Sequence, residues 1–396
     1  MKKVTIVGGG FSGMATAYYL ARGGVAVTLL EKQDHLGGLI GTLHTDQGPV
    51  ELAASGIRSS ARVESLCADL GISLLTTKKE SRARYLYRNG PRRWPLGAAE
   101  TVELGGRLAG TLITRQFRPR PDETIDAWSS RVLGAGASRY IVGAALQGIY
   151  AGDPKRLSAG LIFGKKAKPQ KGALHGLVAP PNGMSQLIET LEARLRSLNV
   201  DIRKGVSATD DLEGTVVICT SARDAAGLIR KRAPEAAKIV GGIEMLPLAR
   251  VTAFYPASEN TIGGFGILFP RGQGVTALGV LFNTNIFPER GAGHSESWIL
   301  GGAQHPEVLD LDDAALFELV ARDREKVYGR AATPLSIHPQ RWPRALPHYD
   351  IGLEHLLRDG IELPGDTFLA GNYLRGIGLP MLLEKAYDVA QQVQHH

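Results

Sequence analysis

Cysteine is nearly absent: only Cys67 and Cys219 occur in 396 residues, far apart in the chain. Two cysteines cannot build a disulfide framework or a zinc site. Both are expected to be buried thiols that pack as small apolar side chains. Aromatic residues are sparse, at 6%. No uninterrupted apolar stretch approaches the roughly 20 residues of a membrane span, so none is expected. There is no internal repeat and no low-complexity linker. Met1-Lys2-Lys3 ahead of an apolar run superficially resembles a signal peptide, but Gly8-Gly9-Gly10 breaks the run at once. The run therefore reads as a first strand. The closing His395-His396 is assigned no function.

What is present is a globular composition: 43% hydrophobic residues, with a mean hydropathy of −0.06. The length exceeds the roughly 250–300 residues at which one core stops growing, so two or more lobes are expected. Glycine is abundant, at 49 residues, which suggests close approaches of backbone to a ligand. The net charge of +7 and pI of about 9.3 suit an anionic substrate, an anionic membrane surface or nucleic acid. Charge alone selects none of these.

Val4–Val7 reads as a β-branched strand, Ser12–Ala21 as a helix and Val25–Glu31 as a second strand, together a βαβ unit. Ala61–Leu70 reads as a helix closed by Gly71, and Arg82–Arg88 as a strand with Arg82, Arg84, Leu86 and Arg88 on one face. From about Pro95 to Gly176 the pattern turns helical. Gly183–Leu198 is an amphipathic helix followed by a short strand at Val200–Arg203. Val216–Thr220 has the unbroken apolar character of a buried parallel strand. Residues 251–281 look β-rich, and 367–392 return to strand, glycine-rich turn and long helix.

Gly8-Gly9-Gly10-Phe11-Ser12-Gly13 satisfies G-x-G-x-x-G between the first strand and the first helix. Its first glycine permits the tight turn, its second lets backbone approach a pyrophosphate, and its third lets the helix pack on the sheet. The helix N-terminus offers free N–H groups to phosphate. Glu31, eighteen positions beyond Gly13, stands where a carboxylate accepts bonds from ribose hydroxyls. A second glycine pair, Gly37-Gly38, follows directly. A third run, Gly371-Asn372-Tyr373 through Gly376-Ile377-Gly378-Leu379-Pro380, precedes the last helix. FAD is long enough to need these further backbone contacts, which favours it over NAD.

With these motifs in view, the sequence resembles the FAD-dependent amine oxidase superfamily and, within it, the protoporphyrinogen/coproporphyrinogen oxidase family. The likeness runs through the N-terminal block to Thr42, Gly56-Ile57-Arg58-Ser59, Gly148–Asp153, Pro181–Met184, Gly264–Gly266, Leu278–Asn283 and Leu369–Pro380. It implies an α/β fold in which a Rossmann-type FAD-binding domain (1–80, 176–235 and 355–396) is interrupted. The interruptions are a β-sheet substrate domain (81–95 and 236–354) and a helical insertion (96–175). It implies oxidation of a porphyrinogen to a porphyrin in heme biosynthesis, with six electrons passing through FAD and oxygen as acceptor. By position, Gly8, Gly9, Gly10, Phe11, Ser12, Gly13, Glu31 and Lys32 would hold the ADP half, and Gly37 and Gly38 further phosphate or ribityl groups. Gly56, Ile57, Arg58 and Ser59 would lie beside the isoalloxazine. Val206 would meet the adenine through its backbone, and Asn372, Ile377, Gly378 and Leu379 would close the far end.

The resemblance also places Arg84 opposite a substrate propionate, a role suited to a guanidinium that stays charged in an apolar pocket. The alternative is a solvated basic face shared with Arg82 and Arg88. No side chain stands out as a catalytic acid or base, and the flavin can carry the chemistry itself. His175, His294 and His348 read as surface or loop histidines without metal-ligand spacing. Three departures from the family are visible: Leu39 after the glycine pair where a basic residue is usual, a short 204–220 connection lacking a hairpin, and the compact length.

Leu104–Ile113 with Arg115, Arg118 and Arg120 fits either an interfacial helix or a core helix with a basic end. A cytoplasmic protein is expected, with peripheral attachment to the inner face of the membrane left open, as are a homodimer and a heme-pathway partner. No nucleic-acid partner is expected. Protoporphyrinogen IX and coproporphyrinogen III both remain as substrates, the basic cluster Arg82, Arg84, Arg88, Arg92 and Arg93 keeping the latter alive. Other superfamily oxidases or desaturases and a non-catalytic flavin carrier are the competing classes; the scarcity of aromatics weighs against an amine-binding aromatic cage.

Overall fold

The computed structural model describes residues 2–114, 116–164, 169–291 and 293–395. Strands Lys3–Val7, Ala26–Glu31, Asp201–Lys204, Thr215–Ile218 and Thr367–Leu369 form one five-stranded sheet. All its pairings are parallel, and Lys3–Val7 lies in the middle. From this central strand the chain first moves one way to Ala26–Glu31 and later the other way to Thr215–Ile218. That reversal is the switch point at which open α/β sheets bind ligands beyond their strand carboxyl ends.

Both faces of this sheet are covered, which accounts for its continuous apolar strands. Val4, Ile6 and Val217 face one core, and Val7, Val216 and Ile218 face the other. The helix Phe11–Arg22 packs on the first face and is buried along most of its length. Outside it lies the C-terminal helix Leu379–His395, which buries Leu382, Leu383, Ala386, Val389, Ala390 and Val393 at helical spacing.

A second sheet of seven strands runs in the order Ser336–Pro347, Met245–Tyr255, His294–Gly301, Gly279–Phe282, Gly266–Leu268, Arg84–Tyr87 and Pro91–Arg92. It is antiparallel except where Arg84–Tyr87 runs parallel to Gly266–Leu268. The helix Asp313–Tyr328 covers one face, its Leu316, Leu319 and Val320 packed with Val251, Val280, Trp298 and Leu300. The other face meets the turn 52–55: Arg250 and Trp342 hydrogen-bond its carbonyls.

The expected strand Arg82–Arg88 is shorter. Glu80–Arg82 is a helical turn and the ladder covers Arg84–Tyr87. The core-helix reading of Leu104–Ile113 is overturned: the helix spans Ala98–Thr114 and buries no residue. Val102, Leu112 and Ile113 stand in the open. Arg115 lies outside the described residues. No helix among the described residues is long and apolar enough to cross a membrane.

Candidate cofactor and substrate site

The glycines of the first turn are demanded by contact. A Cβ on Gly13 would sit 1.9 Å from the carbonyl oxygen of Gly8, and one on Gly9 2.4 Å from Leu36. Gly8 has a φ of +105° with Cys219 against it. The second glycine pair packs on the first run: Gly37 N–H donates to Gly9 O at 2.9 Å, and a Cβ on Gly38 would lie 3.1 Å from Gly10 Cα. The two runs make one glycine cradle. Gly10 is the N-cap of Phe11–Arg22 and no side chain caps that helix, so its first-turn N–H groups are available to an anion.

Glu31 does more than its position suggested. Its carboxylate accepts the Gly9 N–H at 2.6 Å and the Gln33 N–H at 2.9 Å, pinning the turn from the next strand. A carboxylate accepts about four hydrogen bonds, so capacity remains for a ribose. Val206 is brought to the same place, its N–H donating to Glu31 O at 2.8 Å. Lys32 leans toward Asp224 at 3.3 Å on the surface. Ile57–Arg58 pairs with Leu177–Val178, and Ser59 donates through its hydroxyl to Glu64 and through its N–H to Gly176 O. At the third run, Tyr349 donates to the carbonyl of Asn372, while Ile377, Gly378 and Leu379 lead into the last helix. Every segment named above except Gly56–Ser59 stands at a carboxyl end of the parallel sheet or on its glycine cradle.

The turn 52–55, just ahead of Gly56, is held by charged side chains that sequence reasoning missed. Arg250 is buried at 4% exposure and donates to Ala53 O, to Ser55 Oγ at 2.9 Å and to Ser297 Oγ at 2.8 Å. Arg290, also buried, donates to Ser55 O at 3.1 Å, to Pro180 O at 2.6 Å and to Glu51 at 2.7 Å. Glu51 in turn accepts the Thr42 hydroxyl and the Met184 N–H. Burial lowers the Arg250 guanidinium to about 10 and pulls Arg290 down, and it raises the Glu51 carboxyl. The available signal was an arginine set inside the apolar strand Leu-Ala-Arg-Val-Thr-Ala-Phe.

Within the basic cluster, Arg88 is spent on Glu100, the Pro95 carbonyl and the Tyr140 ring. Arg84 lies over the Phe265 ring at 4.6 Å and joins no ion pair among the described residues. Tyr85 and Tyr87 turn toward the core under Asp313–Tyr328, so strand alternation sends Arg84 to the opposite face.

The expectation of surface histidines fails for two of the three. His294 is fully buried and hydrogen-bonds Glu296 at 2.9 Å. His348 is buried between the Asp153 N–H and Glu244. Glu244, His348 and Asp350 lie close enough to share a cation. Arg156 already bridges both carboxylates, which removes the charge a metal would need. A cleft of about 540 Å³ between the hairpin Thr42–Thr45/Gly48–Glu51 and Phe254, Tyr255 and Arg290 shares no residue with the glycine cradle.

The family described as flavin containing amine oxidoreductase matches residues 11–394. The chain belongs to this family. As a flavin containing amine oxidoreductase it is an FAD-dependent oxidoreductase. The chain is similar to the chloroplastic protoporphyrinogen oxidase of Nicotiana tabacum, 25% identical over 98% of this chain and 84% of that protein. It is similar to protoporphyrinogen oxidase 1 of Arabidopsis thaliana, 26% identical over 98% and 87%. It also resembles the Bos taurus protoporphyrinogen oxidase, 25% identical over 99% and 98%. Among solved structures, an Exiguobacterium sp. 255-15 protein whose name proposes protoporphyrinogen oxidase activity superposes with a TM-score of 0.81, at 19% identity, covering 100% of this chain and 99% of that one. Cyclohexylamine oxidase from Brevibacterium oxydans IH-35A gives 0.73 at 16% identity, covering 99% of each chain. Proteins named for different activities thus share this fold.

Proposed function

We propose that this flavoenzyme oxidises protoporphyrinogen IX to protoporphyrin IX in heme biosynthesis, with oxygen as the acceptor. One observation carries the reading: the likeness to protoporphyrinogen oxidases extends over 98% of the chain rather than over the dinucleotide motif alone. The glycine cradle, the uncapped helix N-terminus and the Glu31 carboxylate fit FAD. FAD, when bound, supplies the hydride-accepting chemistry.

The residues assigned to holding it are Gly8–Gly13, Glu31, Lys32, Gly37, Gly38, Gly56–Ser59, Val206, Asn372 and Ile377–Leu379. Residues 1–80, 176–235 and 355–396 form its domain, with 81–95 and 236–354 as the substrate domain. Arg84, in no ion pair among the described residues and lying over the Phe265 ring, orients a substrate propionate. No acid or base is assigned. The exposed apolar side chains of Ala98–Thr114, flanked by basic residues, favour peripheral attachment to the inner face of the cell membrane. The porphyrinogen and oxygen are the small-molecule partners.

Coproporphyrinogen III is the second reading, favoured by Arg84, which has no ion pair among the described residues and belongs to a basic cluster. Aerobic turnover with each porphyrinogen separates the two. Porphyrin fluorescence rising with protoporphyrinogen IX, with three hydrogen peroxide per porphyrin, supports the first. Turnover of coproporphyrinogen III alone transfers the assignment, and no turnover of either overturns both.

A further inference from the structure

The buried polar cluster beneath residues 52–55 carries more positive than negative charge. Two guanidiniums, Arg250 and Arg290, share one carboxylate, Glu51, and Glu51 is spent on Arg290 at 2.7 Å. Among the described residues Arg250 has only neutral acceptors: Ala53 O, Ser55 Oγ and Ser297 Oγ. Its Nε is buried without a partner, as are Arg290 Nε and the amide oxygen of Asn283, which hydrogen-bonds Ser297 through its nitrogen. Holding an uncompensated cation away from water is costly. A site that retains one gains if an anion develops nearby during its working cycle.

The position is specific. Arg250 rises from the face of the seven-stranded sheet that meets the turn 52–55. Trp342 of the same sheet and Arg290 of the short helical turn Pro288–Arg290 bind the same turn, so three side chains hold the carbonyls of Leu52, Ala53 and Ser55. The next residue, Gly56, is packed against the Val178 carbonyl, where a Cβ would come within 2.8 Å, so the turn has little freedom to drift. Resting on the assignment of Gly56–Ser59 to the isoalloxazine side, we infer that Arg250 is a positioning residue that sets the flavin's electron affinity. Its charge, fixed behind the turn, favours the electron-rich reduced ring over the neutral oxidised one. Its hydrogen bonds go to the turn and to Ser297, and it acts through the turn and through its field.

The test uses the FAD-loaded full-length protein and reads two equilibria independent of turnover: the two-electron midpoint potential and the dissociation constant for sulfite, a probe that adds negative charge to the flavin. Arg250→Gln is expected to bind sulfite about tenfold more weakly. The same factor lowers the midpoint potential by about 30 mV. Arg250→Lys, which keeps the charge, stays within about twofold of the parent, and Glu51→Gln moves both quantities the opposite way. If Arg250 is only a structural clamp, the Gln and Lys variants lose flavin or stability alike while their potentials remain at the parent value, and the inference is overturned. Should Arg250→Gln fail to fold, Lys and Glu51→Gln still decide: a potential unmoved by Glu51→Gln counts against it. A parent protein that retains no flavin would instead contradict the cofactor assignment beneath it.

Discussion

The two sheets bury opposite kinds of side chain. The parallel sheet buries almost wholly apolar side chains and presents backbone: three glycine runs, strand ends and an uncapped helix N-terminus. The seven-stranded sheet buries charge on both faces. Toward the turn 52–55 it holds Arg250, with Arg290 beside it on the helical turn Pro288–Arg290. Beneath Asp313–Tyr328, Glu296 accepts from His294, Trp298, Arg324 and Tyr328 at 2.8–3.2 Å. The backbone cradle suits a cofactor of constant shape. The side-chain sheet is where substrate choice and electrostatics can differ among proteins of one fold.

The sharpest way to break this comparison is to open the charged sheet. Glu296→Ala leaves Arg324 with Glu259 alone among the described residues and takes the shared acceptor from His294, Trp298 and Tyr328; it is expected to cost about 3–5 kcal/mol, read as a lowered denaturant midpoint. Replacing Glu296 and Arg324 together by Leu should recover part of that loss, the donors His294, Trp298 and Tyr328 still lacking their acceptor. A single variant as stable as the parent would show that the network is not what organises the sheet. On the backbone side, Gly13→Ala places a methyl against the Gly8 carbonyl. Flavin affinity should fall on the order of a hundredfold with the fold retained, measured by titrating FAD into the apoprotein. Unchanged affinity would move the pyrophosphate elsewhere.

Arg84→Ala is expected to raise KM for the porphyrinogen about tenfold, the worth of one charge-assisted contact, with kcat nearly unchanged. A fall in kcat alone would argue against propionate binding. The smallest effect concerns the thiols. Burial raises Cys67 to about 11 and Cys219 to about 12, above their unfolded values. Their contribution to stability is therefore complete below about pH 8.5 and is lost as pH climbs through the folded values. Native protein should resist iodoacetamide at pH 8 and react on unfolding; rapid native alkylation would place a thiol at the surface.

The backbone half was largely legible in the sequence because glycine declares itself: Gly13 and Gly37 stand where any Cβ collides, and Gly8 and Gly38 hold a positive φ. The apolar run Val216–Thr220, whose strand is Thr215–Ile218, announced a sheet buried on both faces. The side-chain half was not legible. His294–Gly301 reads as polar because Glu296 and its donors satisfy one another inside the protein, and pairing of that kind leaves no periodic trace. Ser336–Pro347 contains Pro339 and Pro343, which argue against a strand until its place at the sheet edge is known. His294 and His348 looked like loop histidines for the same reason: their partners, Glu296 and Glu244, are visible only in three dimensions.

The most direct test of the account is anaerobic mixing of the FAD-loaded protein with protoporphyrinogen IX. Bleaching of the oxidised-flavin absorbance, with porphyrin fluorescence rising in step, is the expected result. Flavin that stays oxidised with both protoporphyrinogen IX and coproporphyrinogen III would contradict the account and leave a flavin-binding protein without this chemistry.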